Sequence, residues 1–440
     1  MKFPSENMRK KLSFLTPFLP YGVLESWDDL NPRLYHAVHI YWLKFYGLWY
    51  NTRSKTSLLF WVHIVYATVV LWLVCFLPGI GEVFYLLKRR DNIGDIAEGL
   101  YLFLSEMYTY IKLSVFWLKR KEIMALLEYL HRDEFKVKEP EHREILRKSI
   151  KRARFVMTYY STMCVGAVSV GILMPLAEQF EVLPTNVEYP YFDVYKSPAY
   201  GIIYIHHIYY KPATCIIDGV MDTILAAFIA SAIGQIDVLA FNLRNLNLIA
   251  ERRRNMLPFT KVNVKKSIKY MPSVDHEEST RHCVRAVLKD IVKHHNSIIN
   301  YVSLIESAFS LASALQLMLS VMVLCLIGIQ FLSIEEPSSH PIQIAWMAIY
   351  LTCMLIEVFI ICWFGDELIW KSWELHQAAF DSPWPSTDPK TAMFIIIFME
   401  RCKRPLRVTA GKIFTLSLDT YTILINWAYK AFAVMRKMKK

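Results

Sequence analysis

Two pairs of adjacent histidines are the side chains that most readily suggest catalysis. They are His206-His207 and His294-His295. Histidine titrates near neutral pH and often acts as a general base, and a membrane acyltransferase could use His207 in this way. Neither pair is accompanied by a nucleophile elbow, a His-Glu-x-x-His motif or a phosphate-binding loop. The sequence therefore predicts a protein that is not an enzyme. The plainer interpretation is that His207 packs in a helix bundle or forms a polar wall.

Three carboxylates lie inside strongly apolar stretches, where a charge is costly and usually faces protein or water. Asp218 and Asp222 are four residues apart, so both lie on one face of a helix. Glu357 occupies another apolar stretch. The two aspartates could form a water-facing cluster, but we favour a salt bridge to a neighbouring helix, for example to Lys112.

The eight cysteines show no metal-ligand spacing such as Cys-x-x-Cys, and six of them lie within apolar stretches. A free buried cysteine behaves as a small apolar residue. We therefore expect no disulfide framework, no zinc site and no other cofactor.

The composition is that of a membrane protein. Apolar residues make up 54% of the 440 residues, and the mean hydropathy is +0.27. Charged residues make up 20% and cluster between apolar stretches, which is the segregation that a bilayer imposes. The net charge of +11 would suit nucleic acid, but the basic residues border apolar stretches and are better interpreted as cytoplasmic loop charges. The sequence predicts an all-α membrane protein that contacts lipid and binds no nucleic acid.

Seven stretches are long enough to cross a bilayer, which takes about 20 mostly apolar residues. The candidate spans are Ser57–Leu77, Gly99–Leu118, Phe155–Ala177, Ala199–Gly234, Ser307–Ile334, Pro341–Phe364 and Val408–Met435. Charged and apolar residues alternate at helical spacing in the cytoplasmic loops, which are therefore predicted to be helical at Lys121–Leu130, Glu141–Arg154 and Val284–Asn300. The fourth, fifth and sixth helices are expected to project well past the bilayer.

Loop charges predict the orientation, because cytoplasmic connections carry more lysine and arginine than external ones. Residues 119–154 and 244–293 hold twelve basic residues each, whereas 178–198 hold one and 335–340 hold none. The N-terminus is therefore predicted to be cytoplasmic, and seven spans place the C-terminus outside the cell. This topology is the reverse of that of a G-protein-coupled receptor.

The last part of the chain carries the most specific pattern. Pro405 interrupts it, and Ala392–Met399 before this proline is too short to span a bilayer, so the seventh helix is predicted to be split. The part after the break is polar along one side, which suits a pore-lining helix or a helix packed within a bundle. The polar positions are Thr415, Ser417, Asp419, Thr420, Thr422, Asn426 and Lys430.

This closing segment resembles the C-terminal signature of the insect odorant-receptor family. The matching residues are Trp384, Arg404-Pro405-Leu406, Thr409-Ala410-Gly411-Lys412-Ile413-Phe414, Ser417-Leu418-Asp419-Thr420-Tyr421 and Ala428-Tyr429. The resemblance implies an odorant-gated, non-selective cation channel in the plasma membrane of olfactory sensory neurons. It also implies a tuning subunit that assembles with co-receptor subunits into a heterotetramer, because the chain lacks the co-receptor's long insertion between the fourth and fifth spans.

The resemblance further implies a division of the chain into four parts. Residues 1–56 would form a cytoplasmic N-terminal segment, and 57–364 a six-span ligand-binding bundle with cytoplasmic helix extensions. Residues 365–407 would form a cytoplasmic anchor that includes the first part of the seventh helix. Residues 408–440 would be the part of that helix that lines the pore.

Alignment of the closing residues with the family places Val434 at a hydrophobic gate, with Lys437 and Met438 beside it. A ring of valines can block ions by excluding water from the pore. Four copies of Arg436 and Lys437 around one pore would repel cations, so these residues favour a hetero-oligomer over a homomer.

The family's ligand pocket lies in the outer half of the bundle, between the second, third, fourth and sixth helices. Small-ligand pockets are mostly apolar and aromatic, with a few polar groups. The predicted ligand-binding residues are Phe103, Leu104, Met107, Gly166, Val170, Tyr200, Tyr204, His207, Trp346, Ile349 and Tyr350. Each of them alone is better explained by core packing, but as a set they describe an aromatic cavity for a small volatile odorant.

Two other receptor classes stay open as alternatives. A gustatory-type ligand-gated channel of the same superfamily differs mainly in its ending. A seven-span G-protein-coupled receptor would need the opposite orientation.

Overall fold

The computed structural model describes residues 35–49, 58–89, 93–177, 179–180, 182–191, 193–256, 272–333 and 341–439. Within these ranges the protein is almost entirely helical. Its helices are α1 (Ala37–Phe45), α2 (Leu58–Leu71), α3 (Leu77–Lys88), α4 (Ile93–Leu118), α5 (Arg120–Tyr129), α6 (Pro140–Ala177), α7 (Ala199–Arg244), α8 (Leu246–Met256), α9 (Pro272–Ser333), α10 (Pro341–Phe380), α11 (Pro389–Cys402) and α12 (Leu418–Lys439). The shorter elements are a π-helical turn (Trp72–Phe76), two 3-10 helices (Asp133–Phe135 and Trp384–Ser386), and the strands β1 (Thr409–Ala410) and β2 (Phe414–Thr415). Most of the predicted N-terminal segment, 1–34 and 50–56, lies outside the described residues.

Five helical stretches of the described chain are long and apolar enough to cross a membrane. They are Phe60–Lys88, Pro140–Leu176, Ala199–Arg244, Thr280–Leu332 and Pro341–Ser386. The other two predicted spans fall on α4 and α12, which are helical but less apolar. Charged residues inside both helices, such as Lys112 and Lys430, lower their hydropathy.

Helix α7 is the centre of the bundle. Every residue from Gly219 to Ile236 is buried, and α6 and α10 make the most extensive contacts with this helix. Small residues allow this close packing, as they do between membrane helices in general. At Gly234, for example, an added Cβ atom would lie 2.6 Å from the Tyr35 hydroxyl and 3.1 Å from Ser149 Oγ.

The long helices continue well beyond the length of a span, as predicted. Helix α9 runs without interruption through 62 residues, which at 1.5 Å per residue is about 90 Å. The hydrocarbon core of a bilayer is about 30 Å thick. Helix α6 likewise includes the charged stretch from Pro140 onward.

The predicted break in the last helix is present, but it is wider than a single proline would require. Helix α11 ends at Cys402 and α12 begins at Leu418, so the predicted helical start at Val408 is wrong. The intervening residues form an antiparallel hairpin. Gly411 and Lys412, at its turn, have φ angles of 62° and 58°, a left-handed conformation that a right-handed helix cannot contain.

The hairpin sits tightly against two of the long helices. The Gly411 amide donates a hydrogen bond of 2.9 Å to the Ser310 carbonyl on α9, and a Cβ atom on Gly411 would lie 3.0 Å from that of Ala314. On the other side, a Cβ atom on Gly365 of α10 would lie 2.3 Å from the Leu416 carbonyl oxygen. These two glycines therefore let the hairpin connect α9, α10 and the start of α12.

Candidate ligand site

A cavity of about 130 Å³ lies between α4, α6, α7 and α10. These helices hold the second, third, fourth and sixth predicted spans, the four between which the pocket was expected. Pro184, in the connection between α6 and α7, completes the lining. All the lining residues except Pro184 belong to long helices, which hold their side chains in place.

The walls of the cavity are aromatic and apolar. Tyr108, Tyr160, Trp346 and Tyr350 all line it. The rings of Trp346 and Tyr350 are 6.1 Å apart and inclined at 38°. Gly171 on α6 makes room for the indole, since a Cβ atom there would lie 3.0 Å from the Trp346 ring. This surface suits a small aromatic or aliphatic molecule.

Three thiols also contribute to the lining. Cys164, Cys215 and Cys353 come from α6, α7 and α10, respectively. All three are free cysteines. They act here as small, polarizable groups in the wall of the cavity.

One end of the cavity is strongly polar. Lys112 Nζ lies 2.8 Å from Asp218 Oδ1 and 3.1 Å from Glu357 Oε1, and it also donates a hydrogen bond to Asp222. The predicted salt bridge from Lys112 to the aspartates of α7 is therefore confirmed. Gln316 Nε2 on α9 donates to Asp222 Oδ1 at 3.0 Å and to Glu357 Oε1 at 2.8 Å. We call Lys112, Asp218, Asp222 and Glu357 the Lys112 cluster.

The carboxylates of this cluster differ in exposure. The Asp222 and Glu357 side chains are each 2% exposed, whereas that of Asp218 is 24% exposed. Oxygen atoms of the three carboxylates come within 4.8 Å of one another, an arrangement that could hold a metal ion. The Lys112 ammonium already lies among them and supplies a positive charge there.

A second buried ion pair lies on the same wall. Lys211 on α7 donates a hydrogen bond to Glu106 on α4, and both residues line the cavity. The Tyr110 hydroxyl donates to the other Glu106 oxygen at 3.3 Å. Charged residues inside the bilayer usually pair with one another or face a cavity, and these two residues are paired and line the cavity.

Of the eleven predicted ligand-binding residues, Trp346 and Tyr350 line this cavity. On α4 and α6 the lining residues are immediate neighbours of those predicted. Met107 and Val170, for instance, are exposed on the outside of the bundle. Four more of the predicted residues on α4, α6 and α10 are also absent from the lining, namely Phe103, Leu104, Gly166 and Ile349.

The three residues predicted on α7 lie farther out than the cavity. The Tyr200 and Tyr204 hydroxyls donate to the carbonyls of Val182 and Ile172 at 2.8 and 3.0 Å, respectively, which fastens the outer end of α7. His207 is buried, its Nδ1 lies 2.7 Å from the Ile203 carbonyl oxygen, and its ring packs edge-on against a tyrosine. It has the environment of a packing histidine.

Sequence reasoning missed the polar lining of the cavity and Tyr108 and Tyr160. The charged residues within apolar stretches could have indicated this lining. Such residues occur at water-facing surfaces as well as in salt bridges. Glu106 and Lys211 are further charges within the predicted spans, and for Asp218 the sequence favoured a salt bridge over a water-facing position. Taken together, they indicate which side of each helix faces the cavity.

The predicted gate residue lies on the outward side of α12. This helix packs on α9 through Phe432, whose ring is 2.7 Å from where a Cβ atom on Gly328 would be. Successive helical residues are about 100° apart, so Val434 points away from that contact. Val434 and Lys437 are exposed in the single chain. The Met438 side chain lies outside the part of the chain that the structure describes.

Comparison with known proteins agrees with this architecture. A sequence model of the 7tm Odorant receptor family matches residues 92–429. Odorant receptor 46a, isoform A, of Drosophila melanogaster is 19% identical over 90% of this chain and 96% of its own length. Odorant receptor Or2 of Anopheles gambiae is 23% identical over 86% of this chain and 95% of its own length.

The similarity to the co-receptor covers a smaller part of the chain. The odorant receptor coreceptor of Aedes aegypti is 26% identical over 156 residues, which are 36% of this chain and 32% of that protein.

Among solved structures, the olfactory receptor OR5 from Machilis hrabei in complex with eugenol has a TM-score of 0.74. It shares 16% sequence identity, over 94% of this chain and all of that one. Since the family model covers most of the sequence, the chain belongs to the 7tm odorant receptor family.

Proposed function

We propose that this chain is the odorant-binding tuning subunit of a ligand-gated, non-selective cation channel. The cavity between α4, α6, α7 and α10 carries this proposal, because it joins aromatic walls to a few fixed polar groups. The olfactory receptor OR5 from Machilis hrabei, whose fold is similar, was solved with eugenol. In this chain Trp346 and Tyr350 would pack against the body of the odorant.

Helix α10 offers a direct route from the cavity to the pore helix. Trp346 and Glu357 line the cavity, and farther along the same helix Phe359 packs against Tyr421 of α12, with ring centres 5.5 Å apart. Gly365 then contacts the hairpin that precedes α12. A ligand that binds the open arrangement more tightly shifts the population towards it. Movement of α10 would thereby move α12 and widen the ring at Val434.

Assembly with other subunits is supported by two exposed surfaces. Helix α11, in the predicted cytoplasmic anchor, exposes the apolar side chains Met393, Phe394, Ile396 and Ile397. An exposed apolar patch commonly marks a protein interface. The exposed Arg436 and Lys437 near the end of α12 would repel cations if repeated four times. A heterotetramer with co-receptor subunits would contain fewer than four copies of these two basic residues around the pore. Its subunit interfaces could also cover the exposed side of α11.

The proposed orientation places the N-terminus in the cytoplasm and the C-terminus outside the cell, in the plasma membrane of olfactory neurons. The loop charges support this orientation. An epitope tag at the N-terminus should be stained only after permeabilisation, and a tag at the C-terminus without it. Staining of intact cells at the N-terminus would contradict the proposed topology.

Currents in cells that express this chain with a co-receptor test the function itself. A panel of volatile compounds should include some that evoke a cation current. Trp346→Ala should move the concentration for half-maximal current upward while leaving the surface amount unchanged. The absence of current for every compound, with the chain present at the surface, would contradict the proposal.

A further inference from the structure

The polar end of the cavity holds more negative than positive charge. Four carboxylates, on Glu106, Asp218, Asp222 and Glu357, are in contact with two ammonium groups, on Lys112 and Lys211. Counted at full ionisation, these groups carry two more negative than positive charges inside the bundle. Uncompensated charge is unfavourable in such an environment. A positive charge entering the cavity would therefore be attracted to this end.

Asp218 is the carboxylate of the Lys112 cluster that an incoming group can reach. It lines the cavity, and its side chain is 24% exposed, against 2% for Asp222 and Glu357. Its hydrogen bonds, from Lys112 and from Thr109 Oγ1 at 3.0 Å, both end on Oδ1. Among the described residues, Oδ2 of Asp218 receives no hydrogen bond and stays available as an acceptor.

An unsatisfied hydroxyl in the same wall points independently to a ligand. Tyr108 lines the cavity and is buried, yet its hydroxyl has no hydrogen-bond partner in the described part of the chain. Buried polar groups are nearly always paired. The Lys112 ammonium lies over the Tyr108 ring, 3.7 Å from its centre, so this wall already accommodates a cation. A polar ligand group at this end would satisfy the hydroxyl.

The remaining walls are aromatic, and they suit both the apolar part of such a ligand and its ammonium group. Tyr160, Trp346 and Tyr350 line the same cavity as Asp218. Aromatic faces attract ammonium groups, and this attraction increases when water is excluded. The cavity thus combines an available carboxylate oxygen with aromatic surfaces at close range.

We propose that the cavity selects ligands that carry a protonated amine on a small apolar body. The ammonium group would be bound by Asp218 Oδ2, and the apolar body would pack against Trp346 and Tyr350. This inference rests on the proposed function, because it takes the cavity to be the odorant site. It names the chemical class that the site prefers over a neutral alcohol or a hydrocarbon of the same skeleton.

Three compounds that share one skeleton separate charge from shape. They are 2-phenylethylamine, 2-phenylethanol and ethylbenzene, which present an ammonium, a hydroxyl and no polar group, respectively. Alkylamines, like lysine, have a pKa near 10 and are protonated at pH 7. Binding is measured on the purified full-length chain by the ligand-dependent rise in its unfolding temperature, which needs no channel activity.

The amine should bind the wild-type chain about tenfold more tightly than the alcohol, the difference expected for one charge-assisted hydrogen bond. Asp218→Asn should abolish this preference. Asp237→Asn, which removes a carboxylate from the same helix in the cytoplasmic region, should leave it intact. Tyr108→Phe should weaken binding of the amine and the alcohol but not of ethylbenzene, and this gives a second variant if Asp218→Asn does not fold.

Equal affinity for the three compounds, binding of none of them, or an amine preference that survives in Asp218→Asn would overturn the inference. Currents recorded with a co-receptor separate it from the proposed function. If volatile compounds open the channel but the amine binds no more tightly than the alcohol, only the inference fails. If the amine binds as expected and no compound evokes current, the proposed function fails and the binding inference stands.

Discussion

Lys112 Nζ donates a hydrogen bond of 3.1 Å to Glu357 Oε1 and thereby joins α4 to α10 across 245 positions of the sequence. The same ammonium contacts Asp218 and Asp222 on α7. One lysine therefore connects three of the four helices that surround the cavity. Because these groups lie inside the bundle, the cluster fixes the relative positions of the helices as well as the charge at the end of the cavity.

Removal of the lysine charge should destabilise the whole bundle. Lys112→Met leaves the buried carboxylates without their cation, which costs about 3–5 kcal/mol when one partner of a buried ion pair is deleted. The unfolding temperature of the purified chain and its amount at the cell surface should both fall. Lys119→Met, just beyond the end of the same helix in a partly exposed pair with Glu122, is the matched control and should change neither. A Lys112→Met chain as stable as wild type would show that the cluster does not hold the helices together.

The hairpin before α12 should be sensitive to one added methyl group. Gly411→Ala forces an alanine into a φ of 62° and brings its Cβ atom to 3.0 Å from that of Ala314. The left-handed conformation alone costs about 1–2 kcal/mol. We expect a lower unfolding temperature and smaller ligand-evoked currents. Gly201→Ala on α7, where a Cβ atom meets nothing within 4 Å, should lower neither, since alanine is the better helix former. Equal effects of the two substitutions would contradict the assigned role of the hairpin.

The part of α9 that precedes its predicted span should lose stability in mild acid. Burial lowers the pKa of His295 to about 4, from 6.5 for an ordinary histidine, so the unfolded chain binds this proton more readily than the folded one. The stabilising contribution is fully present above pH 6.5 and decreases as the pH falls towards 4. A shift of this size corresponds to about 3 kcal/mol at most.

Unfolding temperatures measured between pH 7 and pH 4.5 test this pH dependence. His295→Phe, which keeps a ring against Phe398, should reduce the loss of stability in acid. His282→Phe, at an exposed position of the same helix, should have the wild-type pH profile. If His295→Phe also follows the wild-type profile, protonation of this histidine is not the source of the acid sensitivity.

A smaller side chain at the predicted gate should change the current that flows without ligand. Val434→Ala should increase the current that flows without ligand, because a ring with smaller apolar side chains excludes water less effectively. Val62→Ala is a matched control, since both valines are 57% exposed in the single chain and Val62 lies on the outside of α2. An unchanged basal current in Val434→Ala would remove this residue from the gate.

Some features of the fold and of the site followed from the sequence because they rest on strong physical constraints. An isolated charge inside a span must find a partner, and this requirement predicted the contact between Lys112 and the aspartates of α7. The long helical extensions were visible as charged residues at helical spacing. The helices that enclose the cavity were predicted from the resemblance of the closing segment, not from the residues of those helices.

The residues that line the cavity could not be selected in the same way. A helix that faces lipid on one side and protein on the other is apolar all round, so periodicity does not reveal which side faces the cavity. Met107 is exposed while its neighbour Glu106 lines the cavity, although methionine is the more obvious pocket residue. On α7 the lining begins at Lys211, one turn beyond His207, and Pro184 of the connection between α6 and α7 also contributes to it.

The hairpin was missed for a different reason. The stretch from Val408 to Phe414 is mostly apolar, and its composition alone suits the start of a helix. Gly411 was the residue that could have indicated a turn, since glycine is the usual residue at positive φ. Lys412 also has a positive φ, which is uncommon for a residue with a side chain, and no local pattern indicates it.

Recording from excised membrane patches tests whether an odorant opens the channel without a soluble messenger. Patches from cells that express this chain with a co-receptor are bathed in solutions free of ATP and GTP. We predict that an active volatile compound opens cation channels in these patches, and that none open in patches from cells that express the co-receptor without this chain. Odorant-evoked current that requires GTP, or that is absent from excised patches despite a response in intact cells, would contradict it.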